Sequence, residues 1–398
     1  MADGTASVHA DQRARRSGAP YGRYGRALSL ARSLYRSRTI SPIRAIAPMR
    51  PAQIAAILDR EFLSTAASHR TPVMLWGPPG VGKSQIVAQV AERHRVQVVD
   101  IRLSQMEPSD LRGIPFRIGS QVEWAVPALL PDAARHGPSG VLFLDEITSA
   151  SPMVSAAAYQ LILDRRLGDY RVPDGWAIFA AGNRLGDRGV TYAMPAPLAN
   201  RFSHYEVQVS LDDWADWAFA NGIDDRLVAF LRFKPELIFD FDVAKNAAGE
   251  MAFPSPRSWE FAHRALQKFG DQPELLGGAL AACVGSAAGI ECAAFINSLD
   301  RLPDLEAICS GQCVDVPAEI DLQYAVAAGL AGRARQIKGT PDAATVWNNM
   351  LNYAQHFPER EMGVMLVSDM HRGIGQALFS VPNFSLWASA VADLMLYE

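Results

Sequence analysis

The stretch that most restricts the fold is GPPGVGKS, residues 77–84, which follows the apolar run VMLW. It fits the pattern G-x-x-x-x-G-K-[ST], in which glycine-rich backbone directs its N–H groups toward phosphates. The pattern needs a strand before it and a helix after it, and the apolar run and the helical pattern from Lys83 to Arg95 supply both. The predicted nucleotide-binding residues are Gly77, Pro78, Pro79, Gly80, Val81, Gly82, Lys83, Ser84 and Gln85.

The side chains that close this loop predict what it binds. The glycines have no Cβ to obstruct the approach of backbone to a phosphate group. Lys83 would neutralise the β- and γ-phosphates of a nucleoside triphosphate, and Ser84 would offer its hydroxyl group to Mg²⁺. We therefore expect a bound triphosphate and a magnesium ion.

Polar side chains end two further apolar runs. In VLFLDEI, Asp145 can hold Mg²⁺ directly or through water, and Glu146 can polarise the attacking water as a general base. In AAGNR, the amide of Asn183 can orient the same water or sense the γ-phosphate. An asparagine in this setting is by itself more typical of a turn, but the order of phosphate loop, acid pair and strand-end asparagine favours one shared site.

Strand patterns alternate with helical patterns as far as residue 209, which predicts a mostly parallel sheet with helices on both faces. The continuous apolar run from Val141 to Leu144 fits a strand that is covered on both faces. PFRIGSQVEWA and RLGDYRVPDGW each predict a hairpin. After residue 210 the strand signal fades, and helical patterns continue beyond residue 300. The expected fold class is therefore α/β, followed by helical regions.

The first fifty residues differ from the rest of the chain. They contain ten Arg, two Asp and neither Lys nor Glu, a charge of +8, whereas the whole chain carries −4. Their composition resembles an organellar transit segment, but a disordered basic arm over 1–48, or a chain that begins at Met49, is the preferred interpretation. The acidic remainder argues against a protein that mainly coats nucleic acid. Cysteines without paired spacing and the lack of a secretory segment favour a cytoplasmic location.

Taken together, these motifs resemble those of an AAA+ ATPase of the MoxR branch, close to the dynein-related AAA group. GPPGVGKS resembles its Walker A motif, VLFLDEI its Walker B motif, and Asn183 its sensor 1. EPSDLRGIP is similar to the loop that MoxR proteins carry after the second strand. PLANRFSHYEV resembles the segment with the arginine finger, which assigns Arg201, and FPSPRSWEF resembles sensor 2, which assigns Arg257.

The resemblance covers about residues 50–290 and implies an ATP-binding α/β domain over 49–210 and a helical lid over 211–298. Residues 299–398 form a helical extension without an assigned role. One departure is Arg184 directly after Asn183, with Arg188 nearby, because either arginine could compete for the finger role.

The resemblance also implies a function: Mg²⁺-dependent ATP hydrolysis in a ring, commonly a hexamer. Arg201 would reach the neighbouring subunit's site, and Arg257 would bind the γ-phosphate of its own subunit. The ring would remodel or chaperone a protein client, with a von Willebrand A-domain protein as partner. Two alternatives stay open, namely a nucleic-acid-linked motor such as a restriction-system NTPase and a nucleotide-dependent scaffold that does not hydrolyse ATP. Glu146 and Asn183 argue against the scaffold.

Overall fold

The computed structural model describes residues 47–64, 70–184, 187, 191–241 and 251–392. Nearly all of the predicted basic arm lies outside the described residues, and so does Arg188. The described chain from Pro48 onward belongs to one unit.

A six-stranded, fully parallel sheet is the centre of the first half of the chain. The strands, hairpins included, are β1 (Pro48–Met49), β2 (Val73–Trp76), β3 (Gln97–Arg102), β4 (Ile114–Ile118), β5 (Gln121–Ala125), β6 (Ser139–Asp145), β7 (Arg166–Leu167), β8 (Tyr170–Arg171), β9 (Gly175–Gly182) and β10 (Ser203–Val207). The order across the sheet is β1-β10-β2-β9-β6-β3. The three strands whose ends carry the predicted site, β2, β9 and β6, are therefore adjacent, and Trp76 pairs with Gly182 at this edge.

Helices cover both faces of the sheet and continue through the second half of the chain. They are α1 (Pro51–Leu63), α2 (Lys83–His94), α3 (Pro108–Arg112), α4 (Ala133–His136), α5 (Pro152–Asp164), α6 (Ala196–Ala199), α7 (Leu211–Ala220), α8 (Asp225–Phe233), α9 (Pro256–Phe269), α10 (Pro273–Val284), α11 (Ser286–Ser298), α12 (Leu305–Cys309), α13 (Ile320–Gln336), α14 (Ala343–Ala354), α15 (Arg360–Ile374) and α16 (Phe384–Ala390). Short 3₁₀ turns lie at Leu103–Gln105, Ile147–Ser149, Pro235–Ile238, Leu299–Arg301 and Gly375–Ser380.

The two faces of the sheet bury separate apolar cores. On one face α1 and α2 pack against the sheet around Leu58, Val90 and Phe179. On the other face α5 and the segment near α6 pack around Met74 and Leu161. The predicted parallel α/β fold is therefore confirmed. Strand β1 was not predicted, because two residues are too few to produce an alternating pattern.

The two predicted hairpins are present as β4–β5 and β7–β8. Every residue of β4 and β5 is exposed, although five of them are large apolar side chains. The hairpin begins next to Gly113, which has a φ of +82°. A Cβ at this residue would lie only 1.8 Å from the carbonyl oxygen of Ala125, so the position requires glycine. This hairpin is an apolar surface that no described part of the chain covers.

The helical half contains two apolar cores that share one helix. Helices α7–α11 form the first core and α12–α16 the second, while α13 places Ala325 and Ala328 in the first and Leu330 in the second. Asp369 of α15, 1% exposed, accepts hydrogen bonds from Arg232 of α8 at 2.8 Å and from Arg372 at 2.7 Å. This ion-pair network joins the two halves of the helical region.

Among the described residues, no helix is long and apolar enough to cross a membrane. The apolar segment over residues 275–290 forms parts of α10 and α11, and the chain turns between these helices at Gly285, which has a φ of +88°.

Candidate active site

The ends of β2 and β9 meet at the ammonium group of Lys83. Its Nζ donates to the carbonyl oxygens of Gly77 at 2.6 Å and Pro78 at 3.0 Å, and to Oδ1 of Asn183 at 3.0 Å. Lys83 is buried, and burial lowers its pKa to about 8, although the nearby carboxylate of Asp145 acts in the opposite direction. Phosphate oxygens could replace the carbonyl oxygens around this cation.

The end of β6 meets the first turn of α2 at Ser84. Its Oγ donates to Oδ2 of Asp145 at 3.0 Å, so a hydroxyl oxygen and a carboxylate oxygen lie next to each other. Mg²⁺ prefers hard oxygen ligands and is commonly held by one or two protein oxygens together with phosphates. The predicted metal ligands therefore form a set that fits magnesium.

Glu146 follows in the left-handed region, with a φ of 54°. Its backbone N–H donates to Oδ1 of Asp145 at 2.9 Å, and its exposed carboxylate accepts a hydrogen bond from the hydroxyl group of Ser104. Ser104 lies in the 3₁₀ turn that follows β3, and β3 is the neighbour of β6 in the sheet. The sequence analysis missed Ser104, because a single serine after a strand carries no signal.

Thr148 is a second residue that the sequence did not reveal. It is 4% exposed, and its Oγ1 accepts from the backbone N–H of Asn183 at 3.1 Å and donates to the carbonyl oxygen of Asn183 at 3.2 Å. A Cβ at Gly182 would lie 2.8 Å from this oxygen. Thr148, two residues after Glu146, thus bonds to the strand-end Asn183 and fixes the backbone of Asn183.

The phosphate loop also contacts the helical region. The backbone N–H of Arg257, in the first turn of α9, donates to the carbonyl oxygen of Gly80 at 3.2 Å. Gly80 has a φ of +83°, and a Cβ there would lie 2.8 Å from Oγ of the buried Ser255. The side chain of Arg257 is exposed, and its charge acts on Lys83. The structure therefore brings Arg257 to the loop.

A cavity of about 510 Å³ lies beside the loop. Pro78 and Val81 line it from the loop, and Phe239 and Phe241 line it from the helical region. Of the other predicted loop residues, Pro79 is half-buried and Gln85 is exposed on α2.

Of the three arginines considered for the finger role, Arg184 and Arg201 lie within the described residues, and they differ in their surroundings. The guanidinium group of Arg184 forms an ion pair with Glu206 of the same chain, in the wall of the cavity. Arg201 lies two residues after the end of α6 and is exposed, and within the described ranges its side chain has neither an ion pair nor a hydrogen bond. No bond joins Arg201 to the loop of its own chain. The guanidinium group of Arg184 therefore has a partner within its own chain, whereas that of Arg201 has none among the described residues.

Comparison with known proteins agrees with this geometry. Residues 72–202 match the family model described as the AAA domain of the dynein-related subfamily. The chain contains an AAA domain. The matched range includes the phosphate loop, Asp145, Glu146, Asn183 and Arg201, and ends before the helical region.

Curated relatives each match part of the chain. Midasin of Giardia intestinalis is 29% identical over 171 residues, which is 41% of this chain and 4% of midasin. The denitrification regulatory protein NirQ of Stutzerimonas stutzeri is 29% identical over 27% of this chain and 38% of NirQ, and that of Pseudomonas aeruginosa is 32% identical over 27% and 40%. The chain thus spans two fifths or less of the length of these relatives.

Among solved structures, RuvB of Thermogota maritima aligns with 69% of this chain and 81% of its own, at 16% identity and a TM-score of 0.32. At that score the likeness adds nothing to what the sheet topology shows. The AAA domain and its parallel sheet identify the fold, and the activity follows as a proposal from the site.

Proposed function

We propose that this protein is a Mg²⁺-dependent ATPase of the MoxR type. The observation that carries the proposal is the meeting of the Lys83 ammonium group with the Ser84–Asp145 oxygen pair at one sheet edge. Hydrolysis of a triphosphate depends mainly on positioning and on neutralising charge, and these groups supply both.

Each residue has a separate task in this proposal. Lys83 would exchange its carbonyl partners for phosphate oxygens. Ser84 and Asp145 would hold Mg²⁺, which would neutralise charge on the phosphates. Glu146 would take the proton of the attacking water, and Asn183, held by its backbone, would orient that water.

The cavity beside the loop supports a nucleotide rather than a free phosphate. Its apolar walls at Val81, Phe239 and Phe241 suit the faces of a purine base, and it opens next to the loop residue Pro78. Because one wall belongs to the helical region, a bound base would contact both parts of the protein. We also propose that the chain divides into an ATP-binding domain over 49–210, a lid over 211–298 and an extension over 299–398, because the cavity has one wall in the α/β part and the other in the helical region.

Two variants test the chemistry. Lys83→Ala should lose nucleotide binding, because the phosphates would lose their buried cation, whereas Glu146→Gln should bind ATP without turning it over. Binding is measured by titration with a fluorescent ATP analogue and turnover by release of inorganic phosphate. Lys268→Ala, which removes an exposed lysine of α9, is the matched control. Wild-type affinity in the Lys83 variant would refute the assignment of the loop.

The ring is the next part of the proposal. Arg201 is exposed and unpaired within the described part of the chain, which is the condition for an arginine that acts on a neighbouring subunit. Arg201→Ala should be inactive alone, and so should Glu146→Gln, but mixtures of the two should hydrolyse ATP. If mixtures at several ratios stay inactive, Arg201 does not act between subunits.

The client is proposed to be a protein. The exposed side chains of Ile114, Phe116 and Trp124 on the β4–β5 hairpin support this, because contiguous exposed apolar surface is typical of protein contacts. The von Willebrand A-domain partner rests on the resemblance to MoxR proteins, and the proposed cytoplasmic location rests on the cysteine pattern. Co-purification of the ATP-trapped Glu146→Gln form tests the partner.

The alternatives remain distinguishable by simple assays. A nucleic-acid-linked motor would hydrolyse ATP faster when DNA is added, and a scaffold would bind ATP but release no phosphate. Neither has a specific observation among the described residues in its favour.

A further inference from the structure

Arg201 follows a helix that is too short to be stable by itself. Helix α6 consists of the four residues Ala196–Ala199, about one turn. Forming a single turn costs more conformational entropy than its hydrogen bonds return. Contacts outside α6 must therefore determine where the backbone of Arg201 lies.

One such contact comes from His204 of β10. Its Nε2 lies 2.7 Å from the carbonyl oxygen of Ala199, and its Nδ1 lies 2.9 Å from Nε1 of Trp76. A carbonyl oxygen can only accept and an indole N–H can only donate. The imidazole that satisfies both bonds is neutral, with its hydrogen on Nε2 and a free electron pair on Nδ1.

Trp76 connects these two hydrogen bonds to the phosphate loop. Trp76 is the last residue of β2 and directly precedes Gly77, the first residue of the phosphate loop. The Trp76 and His204 rings are stacked at 5.9 Å, and the buried Phe202, next to Arg201, meets the His204 ring edge-on at 6.1 Å. A continuous set of contacts thus connects the start of the loop to the turn before Arg201.

We propose that His204 is a positioning residue that holds the α6 turn against Trp76 and thereby sets the placement of Arg201 in the neighbouring subunit's site. The proposal rests on the proposed function, because it requires Arg201 to act between subunits. It also makes the position of Arg201 depend on the phosphate loop of its own subunit, since both are fixed through Trp76.

Mixed rings separate this role from a general structural one. A donor subunit carries Glu146→Gln, so it presents Arg201 but cannot hydrolyse ATP, and an acceptor subunit carries Arg201→Ala, so it can hydrolyse ATP only with a donor's arginine. His204→Phe, which keeps an aromatic ring but loses both hydrogen bonds, is added to either the donor or the acceptor.

The inference predicts an asymmetric result. In the donor, His204→Phe should lower phosphate release by about tenfold or more, because small displacements of a group near the reacting atoms cost up to about a hundredfold. In the acceptor it should change the rate by less than about twofold, since that subunit's own arginine is already absent. Equal losses in both placements, or no loss in the donor, would overturn the inference.

Trp76→Phe provides a second variant, because it removes the indole N–H, keeps a smaller aromatic ring and retains His204. It should show the same asymmetry with a smaller loss. His136→Phe is the matched control: this histidine accepts a hydrogen bond from the backbone N–H of Asp132 at 3.0 Å, near the opposite end of the sheet. It should have no effect in either placement, and an equal loss from the control would count against a specific role of His204.

Hydrogen exchange supplies a readout that does not depend on turnover. In the Glu146→Gln background, a nonhydrolysable ATP analogue should slow exchange of the amides in residues 196–202, and His204→Phe should abolish that slowing while leaving β2 protected. Unchanged slowing in His204→Phe would overturn the inference. If the parent mixture without any His204 change shows no hydrolysis, the intersubunit role of Arg201 is wrong and the inference fails with it.

Discussion

The most quantitative prediction concerns the pH dependence of nucleotide affinity. Burial lowers the pKa of Lys83 to about 8, which is far enough from the ordinary lysine value of 10.5 to fall within the range of a binding assay. Only the charged ammonium form attracts phosphates. The free protein therefore loses its binding-competent form as the pH rises through about 8.

The magnitude follows from the charged fraction. At about pH 7 roughly nine tenths of the Lys83 groups are charged, and at about pH 9 roughly one tenth are. Apparent affinity for the triphosphate should thus fall about tenfold between these two values. The sign is fixed, since phosphate binding favours the protonated lysine and so raises its pKa in the complex.

Titration of a fluorescent ATP analogue at a series of pH values measures this effect. Lys83→Arg is the matched control, because a guanidinium group stays charged throughout this range and the variant also reports any titration of the nucleotide itself. The affinity of the arginine variant, whatever its absolute value, should be flat. A flat wild-type curve, or a parallel fall in both proteins, would refute the argument that Lys83 is the titrating cation.

Three further substitutions have defined outcomes. Gly80→Ala should destabilise the protein by about 1–3 kcal/mol in urea unfolding and weaken nucleotide binding, because its Cβ would meet Ser255 and the backbone has a positive φ. Ser104→Ala should raise basal phosphate release by about fivefold at unchanged affinity, since Glu146 would no longer have to break a hydrogen bond worth about 1 kcal/mol. Asp369→Asn should lower the free energy of unfolding in urea by about 3 kcal/mol or more, because Arg232 and Arg372 would both lose this buried carboxylate as a partner for their charge.

Each of these three has a control on the same chain. Gly82 also has a positive φ, but a Cβ there would meet no atom within 4 Å. If Gly82→Ala lost as much stability as Gly80→Ala, the clash with Ser255 would not be the cause of the loss. Ser109→Ala removes an exposed serine and should leave turnover unchanged, and slower turnover in Ser104→Ala would mean that Ser104 assists Glu146. Asp315→Asn changes an exposed carboxylate and should have only a small effect on stability. An equally small effect of Asp369→Asn would show that the buried ion-pair network does not stabilise the protein.

The parts of the fold that sequence predicted are those with a strong local pattern. The apolar run of β6 predicts a buried strand, and the glycine pattern before Lys83 predicts a strand before it and a helix after it. The parallel arrangement of the strands follows from the alternation of strands and helices. Residues at the ends of these strands, such as Asn183, could be assigned to one site because parallel strands end at the same edge.

The residues that sequence missed act through contacts between distant parts of the chain. Ser104 meets Glu146 only because β3 and β6 are neighbours, and Thr148 meets Asn183 across 35 positions. A serine or threonine in a turn has many uses, so its type carries no information without the partner. The pairing of Arg184 with Glu206 was equally hidden, since it depends on the ends of β9 and β10.

The same reasoning applies to the helical half, where no function could be assigned from sequence to the residues after 298. Helix α13 belongs to both helical cores, and Asp369 of the second binds Arg232 of the first. By contrast, the phosphate loop meets the helical region at Ser255 and Arg257, next to an open cavity. Densely packed helices transmit displacement, whereas few contacts beside a cavity permit it. If the proposed lid over 211–298 moves on nucleotide binding, the shared helix α13 and the Asp369–Arg232 ion pair would carry residues 299–398 with it.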